Sequence, residues 1–375
     1  MGSESRNRYL LKNTLIFTLG NIGSRMISFF LIPLYTNVLT TSQYGTVDLI
    51  TTISTVAGPM LTLNIAESVM RFGLDKDADK EKNTQCGSIV LLIAMIIGLV
   101  LIPICRCITE VSDYAMYVYF YVISLSASQL FLCDLRGKEL LLKYSLGNIL
   151  QTLMIAILNI TFLLVFKMET GGYLLAYIIA NFIVAIYAII AGKGYKAFSF
   201  HNIDRCKLKE MIRYSVVLIP NTFMWWIMNS SDRVMVTYMI GAAANGIYAV
   251  SYKLPTLVST LTGIFNQAWS YSAIREEGTS DETEYNNKMF KTLSAIAFMM
   301  GIGLLLLTKP FLGVYVADSY YDAWKYTPFL IIGCVYLTLG TFMATSYTVH
   351  KDSFGYLFSG SFGAAFNILL NFIFQ

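Results

Sequence analysis

The sequence predicts an all-α protein that crosses a membrane many times. Of its 375 residues, 56% are hydrophobic and only 13% are charged, whereas a soluble domain carries about 25% charged residues. Apolar runs of about 20 residues, each long enough to span a bilayer core of about 30 Å, recur from end to end. They predict eleven helices, at residues 11–38, 46–68, 86–104, 115–134, 145–166, 172–191, 211–239, 246–270, 291–308, 327–347 and 354–374.

Each predicted helix ends where charged or turn-forming residues interrupt the apolar run. The turn Gln43-Tyr44-Gly45 separates the first two helices, and the hydrophilic stretch Asp75–Asn83 separates the second from the third. The first run is too long for a cleavable signal and lacks a small-residue cleavage site. We therefore expect it to remain as the first helix.

The Lys and Arg residues alternate between the two ends of these helices. Of the 27, twenty fall on one side, in the segments 6–12, 71–82, 136–143, 193–213 and 275–291 and at Lys351, and four fall on the other. Cytoplasmic loops carry the excess of Lys and Arg, so the N-terminus is predicted to be cytoplasmic. The net charge of +4 then reflects topology, and no nucleic-acid partner is expected.

The chain repeats itself, because the order of helices, turns and prolines in 10–85 recurs in 212–290. Gln43-Tyr44-Gly45 corresponds to Asn245-Gly246 at an offset of 201, and each copy has a proline-containing helix on either side. Parallel repeats are related by an axis along the membrane normal, with the site between the halves. The predicted lobes are residues 1–191 and 214–375, joined by the basic cytoplasmic linker 192–213.

The second lobe has one predicted helix fewer than the first. The first lobe has six helices and the second has five before the chain stops at Gln375. Two parallel repeats of six helices would need one more, so we expect the C-terminal part to be truncated.

Three basic residues lie inside predicted helices: Arg25, Arg233 and Lys253. A charge at the centre of a membrane helix costs roughly 2.5–3.5 kcal/mol on insertion scales, so such residues usually face a cavity or a partner. Arg25 lies near mid-membrane on a polar stripe that also contains Asn21. This pattern favours an aqueous path over a helix–helix contact, and the basic charge favours an anionic ligand such as a diphosphate.

The eighth predicted helix has a wide polar and aromatic face. Helical spacing places Lys253, Thr256, Thr260 and Gln267 on one stripe, beside an adjacent stripe that includes Tyr252 and Trp269. Hydroxyl and amide groups pair with sugar hydroxyls, and aromatic rings stack on sugar faces. A packed polar interface is the alternative.

Three acidic residues are candidates for ion coupling: Asp48, Glu67 and Asp232. The first two lie near helix ends, where they could simply be solvated. Asp232 precedes Arg233, and neighbours on a helix point about 100° apart, so a structural ion-pair network is the alternative there.

The sequence lacks the features of an enzyme. The histidines, His201 and His350, are far apart, the outer loops are short, and there is no P-loop. The spacing of Cys105 and Cys107 matches no metal site. We expect no catalytic residue, metal or cofactor.

Several motifs resemble a known family. Lys12-Asn13-Thr14-Leu15 opens a first helix that ends in Pro33-Leu34-Tyr35-Thr36, and Asp232-Arg233-Val234-Met235 leads to the run 246–253 in the second half. Together with the turn at 43–45, these resemble the Wzx-type polysaccharide flippases of the multidrug/oligosaccharidyl-lipid/polysaccharide exporter superfamily. The resemblance covers nearly the whole chain, but the chain departs from the family by ending after eleven helices.

The resemblance implies a V-shaped, MATE-like bundle of two lobes in the bacterial inner membrane. It implies alternating access and transport of undecaprenyl-diphosphate-linked oligosaccharide units for surface polysaccharide such as lipopolysaccharide or capsule. Arg25, Arg233 and Lys253 match positions of the family's cationic cavity. A polysaccharide polymerase and a chain-length regulator are the implied protein partners.

Two other functions remain open on the sequence. A drug or organic-cation exporter would have the same fold, but its substrate favours carboxylates in the cavity, whereas the deep charges here are basic. A membrane glycosyltransferase or polymerase would need a larger catalytic outer loop, for which Asp318 and Asp322 are the only acidic candidates.

Overall fold

The structure is a computed structural model that describes residues 27–75, 77–107, 111–195, 203–276, 282–350 and 352–374. These residues form helices and no β-strand. In chain order the α-helices are α1 Ile32–Val38, α2 Thr41–Leu61, α3 Ile65–Gly73, α4 Lys80–Arg106, α5 Ala115–Gly137, α6 Leu141–Ile160, α7 Glu169–Ala191, α8 Arg205–Met239, α9 Ala242–Ser251, α10 Pro255–Glu276, α11 Glu282–Tyr315, α12 Thr327–Val349 and α13 Ser353–Phe374.

Six helices among the described residues are long and apolar enough to cross a membrane. A seventh span is possible if the bent pair α2 and α3 crosses as one. The helix α8 is long enough to span a membrane but is less apolar than these six, because polar residues such as Asn221 and Asn229 interrupt it. The protein is therefore an all-helical, multi-pass membrane protein, as the sequence predicts.

Two predicted helices are broken in the structure. Thr62, Leu63 and Asn64 separate α2 from α3, and the chain bends by 60° there. The second break, at Tyr252–Leu254, divides the predicted helix 246–270 into α9 and α10. Its cause is Pro255, which has no backbone N–H, disfavours a helical residue before it, and is well suited to the first position of a new helix.

The stretch between α11 and α12 is more ordered than the sequence predicts. We expected a loop, and the structure has a 3₁₀-helix at Asp318–Lys325. Tyr320 in this helix is fully buried, and its hydroxyl donates to the carbonyl of Leu39 at 2.9 Å. Burial raises the pKa of Tyr320, so the phenol stays a neutral donor.

The chain divides into two compact units. The first comprises the described residues up to Leu34 and Thr46–Trp226, and the second comprises Tyr35–Gly45 and Ile227–Gln375. The division passes through α2, between Gly45 and Thr46, and through α8, between Trp226 and Ile227.

The first unit has a core of small and branched side chains on α3, α4, α5 and α7, which includes Ile65, Cys86, Leu135 and Ala188. Close glycine contacts draw these helices together. A methyl group on Gly73 would lie 2.8 Å from the Cα of Gly137. Helices that lack a hydrophobic driving force in lipid associate through such small residues.

The second unit contains a reciprocal glycine contact between the beginnings of α2 and α9. A methyl group on Gly45 would lie 1.8 Å from the carbonyl oxygen of Ala242, and one on Gly246 would lie 2.0 Å from that of Thr41. Gly246 follows Gly45, and Ala242 follows Thr41, by the offset of 201 found in the sequence. Asn245 reinforces the contact by donating to the carbonyl of Gly45 at 2.9 Å.

Candidate functional site

A cavity of about 770 Å³ lies within the first unit. Side chains from five helices line it: Pro59 from α2, Ala66 and Glu67 from α3, the 125–133 stretch of α5, the 144–151 stretch of α6 and the 214–222 stretch of α8, with Asn64 from the break between α2 and α3. Its volume lies within the range of about 300–1,000 Å³ that is typical of small-molecule sites.

The lining is unusually polar for a membrane protein interior. Five carboxamides contribute to it: Asn64, Gln129, Asn148, Gln151 and Asn221. Hydroxyls come from Ser128, Thr222, Tyr144 and Tyr214, and Glu67 is the one acidic residue among the described lining residues, none of which is basic. Polar groups buried in a membrane must be satisfied or must face a water-filled space.

The broken helix places two of these residues. Leu63 and Asn64 adopt left-handed backbone angles, with φ of 52° and 54°. Such a conformation costs of order 1–3 kcal/mol for a residue other than glycine and persists only where the surroundings enforce it. Asn64 is held by a hydrogen bond from its Nδ2 to the Thr222 hydroxyl at 3.3 Å. Its carbonyl accepts from the N–H of Glu67 at 3.2 Å, so the break directs both residues to the cavity wall.

A hydrogen bond between helices fixes another part of the wall. Gln151 on α6 donates through Nε2 to the Oδ1 of Asn181 on α7 at 2.6 Å. Asn181 is 1% exposed. The bond holds the carboxamide of Gln151, which is a residue of the cavity lining.

The cavity lies toward the helix ends that carry the basic loops. Cys133 is four residues before the end of α5, and Tyr144 is three residues after the beginning of α6. At 1.5 Å per residue, both are about one turn from the segment that contains Arg136, Lys138 and Lys143. The cavity therefore lies toward the helix ends that the excess of Lys and Arg predicts to be cytoplasmic.

The residues predicted for a cationic cavity are only partly described. Arg25 and Asn21 lie outside the described residues, as does the side chain of Gln267. Lys253 is half-buried and lies in the break between α9 and α10, where its N–H donates to the carbonyl of Val250 at 3.0 Å. The sequence predicted that Lys253 and Thr256 share one helical stripe. The break separates Lys253 from the helix that carries Thr256, so the stripe is not continuous.

Asp232 and Arg233 belong to a polar and aromatic cluster in the second unit. The Tyr248 hydroxyl donates to the Asp232 carboxylate, and the Arg233 guanidinium carbon lies 5.2 Å from the centre of the Tyr252 ring. Cation–π contacts of this kind stabilise by up to about 2 kcal/mol when desolvated. The two charged side chains thus interact with different partners, as their angular separation on the helix predicts.

The remaining predicted residues of α10 are engaged within the protein. The Thr256 hydroxyl donates to the carbonyl of Lys253 and the Thr260 hydroxyl to that of Thr256, both at 2.6 Å. Trp269 is 5% exposed and stacks on Phe342, with ring centres 4.6 Å apart and planes 17° from parallel. Trp269 therefore belongs to a packed interface, which was the alternative to a sugar-binding face.

The two acidic residues of the second predicted helix have different surroundings. Asp48 is 6% exposed, so it is buried and not solvated at a helix end. Glu67 is half-buried and lines the cavity. Asp318 and Asp322 lie on the 3₁₀-helix after α11, where Asp322 forms an exposed ion pair with Lys325 at 2.8 Å.

The sequence profile of the family described as "Polysaccharide biosynthesis protein" matches residues 10–271. The chain belongs to this family. No curated protein matches the sequence significantly.

Solved structures show the fold of this polysaccharide biosynthesis protein. An inward-facing multidrug resistance MATE family transporter of the MOP superfamily superposes with a TM-score of 0.65 at 11% identity, over 93% of this chain and 84% of the other. The Vibrio cholerae MATE transporter VcmN in its bent form gives 0.55 at 13% identity, over 96% and 87%. A Pyrococcus furiosus MOP superfamily transporter, described as having a binding pocket of reversed polarity, gives 0.52 at 13%, over 96% and 95%.

The likeness to these structures establishes a MATE-like transporter fold for the family member. Together with the family match, it shows a member of the polysaccharide biosynthesis family that has a MATE-like fold in a multi-pass membrane protein. The resemblance found in the sequence is thereby confirmed.

Sequence reasoning missed most of the cavity. Gln129, Asn148 and Gln151 were not singled out, although each is a carboxamide inside an apolar helix. Asn148 and Gln151 are three residues apart, which places them on one helical face. The helices α5, α6 and α8 contribute only one or two carboxamides each, so the polar face becomes evident only when the helices are packed together.

Proposed function

We propose that the protein flips undecaprenyl-diphosphate-linked oligosaccharide units from the cytoplasmic to the outer leaflet of the bacterial inner membrane, for surface polysaccharide export. Family membership and the transporter fold support this direction. The observation that carries the proposal is the large polar cavity enclosed by membrane helices. A glycan crossing a bilayer needs such an environment, because its hydroxyls cannot be left without partners in hydrocarbon.

The chemistry of the lining suits a sugar. A carboxamide offers two donor hydrogens and an acceptor oxygen, which pair with hydroxyl and acetamido groups in several orientations. Tyr144 and Tyr214 add rings with a polar end. A lining of many neutral hydrogen-bonding groups fits the glycan better than the diphosphate.

The diphosphate requires cations, for which Arg25, Lys253 and Arg233 are the proposed residues. An arginine guanidinium binds two phosphate oxygens at once. Transport would proceed by alternating access, with the N-terminus in the cytoplasm. The proposal includes no catalytic step, and Asp48, Glu67 and Asp232 remain proposed positions for ion coupling.

A drug or organic-cation exporter is the second candidate. The presence of Glu67 in a cavity without a described basic lining residue favours it, because a carboxylate attracts cationic ligands. This candidate predicts efflux of a cation such as ethidium, with no movement of lipid-linked sugars.

The test is translocation by the purified protein in proteoliposomes. A fluorescent undecaprenyl-diphosphate disaccharide is placed in both leaflets, and the fraction accessible to an external lectin is followed with time. Wild-type protein should raise the rate of exchange above protein-free vesicles. Gln151→Leu should slow the exchange, because a hydrogen-bonding group of the cavity lining is lost. Thr152→Val is the control and should not slow it. Thr152 is the next residue on the same helix, and its hydroxyl does not line the cavity.

Two results would decide against the proposal. Absence of lipid-linked sugar exchange together with ethidium transport would favour the exporter. Equal exchange rates for Gln151→Leu, Thr152→Val and wild type would show that the substrate does not pass through this cavity.

A further inference from the structure

We propose that Glu67 makes the cavity selective for neutral glycans and excludes those that carry a carboxylate. This inference rests on the proposed function and specifies the substrate class of the same cavity. It starts from a contrast within the lining: one carboxylate stands among five carboxamides and four hydroxyls.

The position of Glu67 is set by the backbone. It lies in the first turn of α3, directly after the left-handed residues Leu63 and Asn64. The hydrogen bond from its N–H to the Asn64 carbonyl fixes the start of that turn. The break therefore places the Cα of Glu67 at the cavity wall, and its side chain is part of the lining.

No described basic side chain neutralises Glu67. Arg71 follows it by four residues on α3 but bonds to Asp75 at 2.6 Å. Arg136 is not a lining residue, and its guanidinium lies 5.5 Å from the centre of the Tyr144 ring. Among the ion pairs of the described residues, none includes Glu67. Its negative charge therefore acts on whatever enters the cavity.

This arrangement discriminates between sugars by charge. Neutral hydroxyls donate charge-assisted hydrogen bonds to a carboxylate, which are about twice as strong as neutral ones. A uronic acid would instead place a second anion in a space with reduced dielectric, where like charges repel several-fold more strongly than in water. Specificity commonly depends on such a repulsive group as well as on attractive contacts.

The decisive experiment compares two lipid-linked disaccharides in the proteoliposome assay, identical except that one hexose is replaced by its uronic acid. Wild-type protein should exchange the neutral compound at least about tenfold faster. Glu67→Gln keeps the shape and the hydrogen-bonding capacity but removes the charge, so the two rates should become similar. Glu210→Gln is the matched control, because it removes an exposed carboxylate of the same unit that pairs with Lys207 and should leave the ratio unchanged.

A binding measurement separates this inference from the proposed function. Cys133 lines the cavity, whereas Cys206 is an exposed residue at the start of α8. In detergent, the neutral free disaccharide should slow maleimide labelling of Cys133 but not of Cys206, and the uronic-acid disaccharide should protect Cys133 only in Glu67→Gln.

Each outcome has a distinct meaning. Wild-type protein that exchanges neither lipid yet shows charge-selective protection of Cys133 would overturn the flippase function and leave the selectivity standing. Equal exchange of both lipids by wild type, or an unchanged ratio in Glu67→Gln, would overturn the selectivity and leave the flippase function standing. Equal protection of Cys133 by both disaccharides in wild type would also overturn it.

Discussion

Gly45 and Gly246 each lie against the backbone of the other's helix, at equivalent positions of the two repeats. The carbonyl that faces Gly45 belongs to Ala242, and the one that faces Gly246 belongs to Thr41. Gly45 and Gly246 are 201 residues apart, and so are Thr41 and Ala242. A two-fold-like contact therefore links the beginnings of α2 and α9. An internal repeat in the sequence thus corresponds to a physical crossing at which only hydrogen fits.

Alanine at either position should destabilise the protein. A methyl group at 1.8 Å or 2.0 Å from a carbonyl oxygen forces the backbones apart, and overpacking of this kind typically costs about 1–3 kcal/mol. The measurement is the thermal unfolding midpoint of the purified variants in detergent.

Gly303→Ala is the control for these variants. Gly303 lies in α11 and has nothing within 4 Å of the added methyl group, so alanine should be neutral or slightly stabilising in that helix. Midpoints for Gly45→Ala and Gly246→Ala at or above that of Gly303→Ala would show that the crossing is not tight.

The sequence predicts the helices because hydropathy and charge act locally. The predicted segments from 46–68 onward are helical in the structure except at the breaks Thr62–Asn64 and Tyr252–Leu254. Pro255 marks the second break, which places Lys253 between two helices. The cavity was less predictable, since its carboxamides are distributed over α5, α6, α8 and the break between α2 and α3. Trp269 was predicted to be a cavity residue but is a packing residue. Helical spacing is compatible with either position for this aromatic side chain, and only the packed structure shows that it lies against Phe342.

A buried ion pair near the end of α5 makes a second prediction. Lys138 donates to the Asp134 carboxylate at 2.6 Å and to the Gly192 carbonyl at 2.9 Å, and the two side chains are 12% and 4% exposed. Lys138→Met should destabilise the protein by about 3–5 kcal/mol, because it leaves Asp134 buried without a counter-charge. The midpoint of thermal unfolding reports the loss.

Two further variants check this reason. Lys325→Met removes an exposed partner of Asp322 and should have little effect, because exposed ion pairs contribute little. Adding Asp134→Leu to Lys138→Met should recover much of the stability. If the double variant is less stable than Lys138→Met, the uncompensated charge is not the cause.

The cluster around Asp232 makes a third prediction. Tyr248→Phe removes the hydroxyl that donates to the Asp232 carboxylate and should lower stability by about 1–3 kcal/mol. Tyr336→Phe, at a ring that is 63% exposed, should not. A double-mutant cycle with Asp232→Asn measures the coupling, and additive effects would mean that the two groups do not act together.

The predicted head-group site gives a fourth prediction. Arg25→Ala should block export and cause lipid-linked precursor to accumulate in cells, because the diphosphate loses a two-pronged partner. Arg25→Lys should recover export in part, since a lysine keeps the charge but lacks the planar fork. Normal export by Arg25→Ala at wild-type protein levels would exclude Arg25 from the site.

Trp269 gives the last prediction, which separates packing from sugar binding. Its ring stacks on Phe342 and lies 5.8 Å from the ring of Tyr285, in a cluster that also contains Leu293. Trp269→Ala should cost about 3–5 kcal/mol by leaving a cavity in the core. Trp269→Phe should retain most of the stability and the full translocation rate. If Trp269→Phe is fully stable but translocates slowly, the indole contacts the substrate. In that case the substitution would remove a ligand contact while leaving the packing intact.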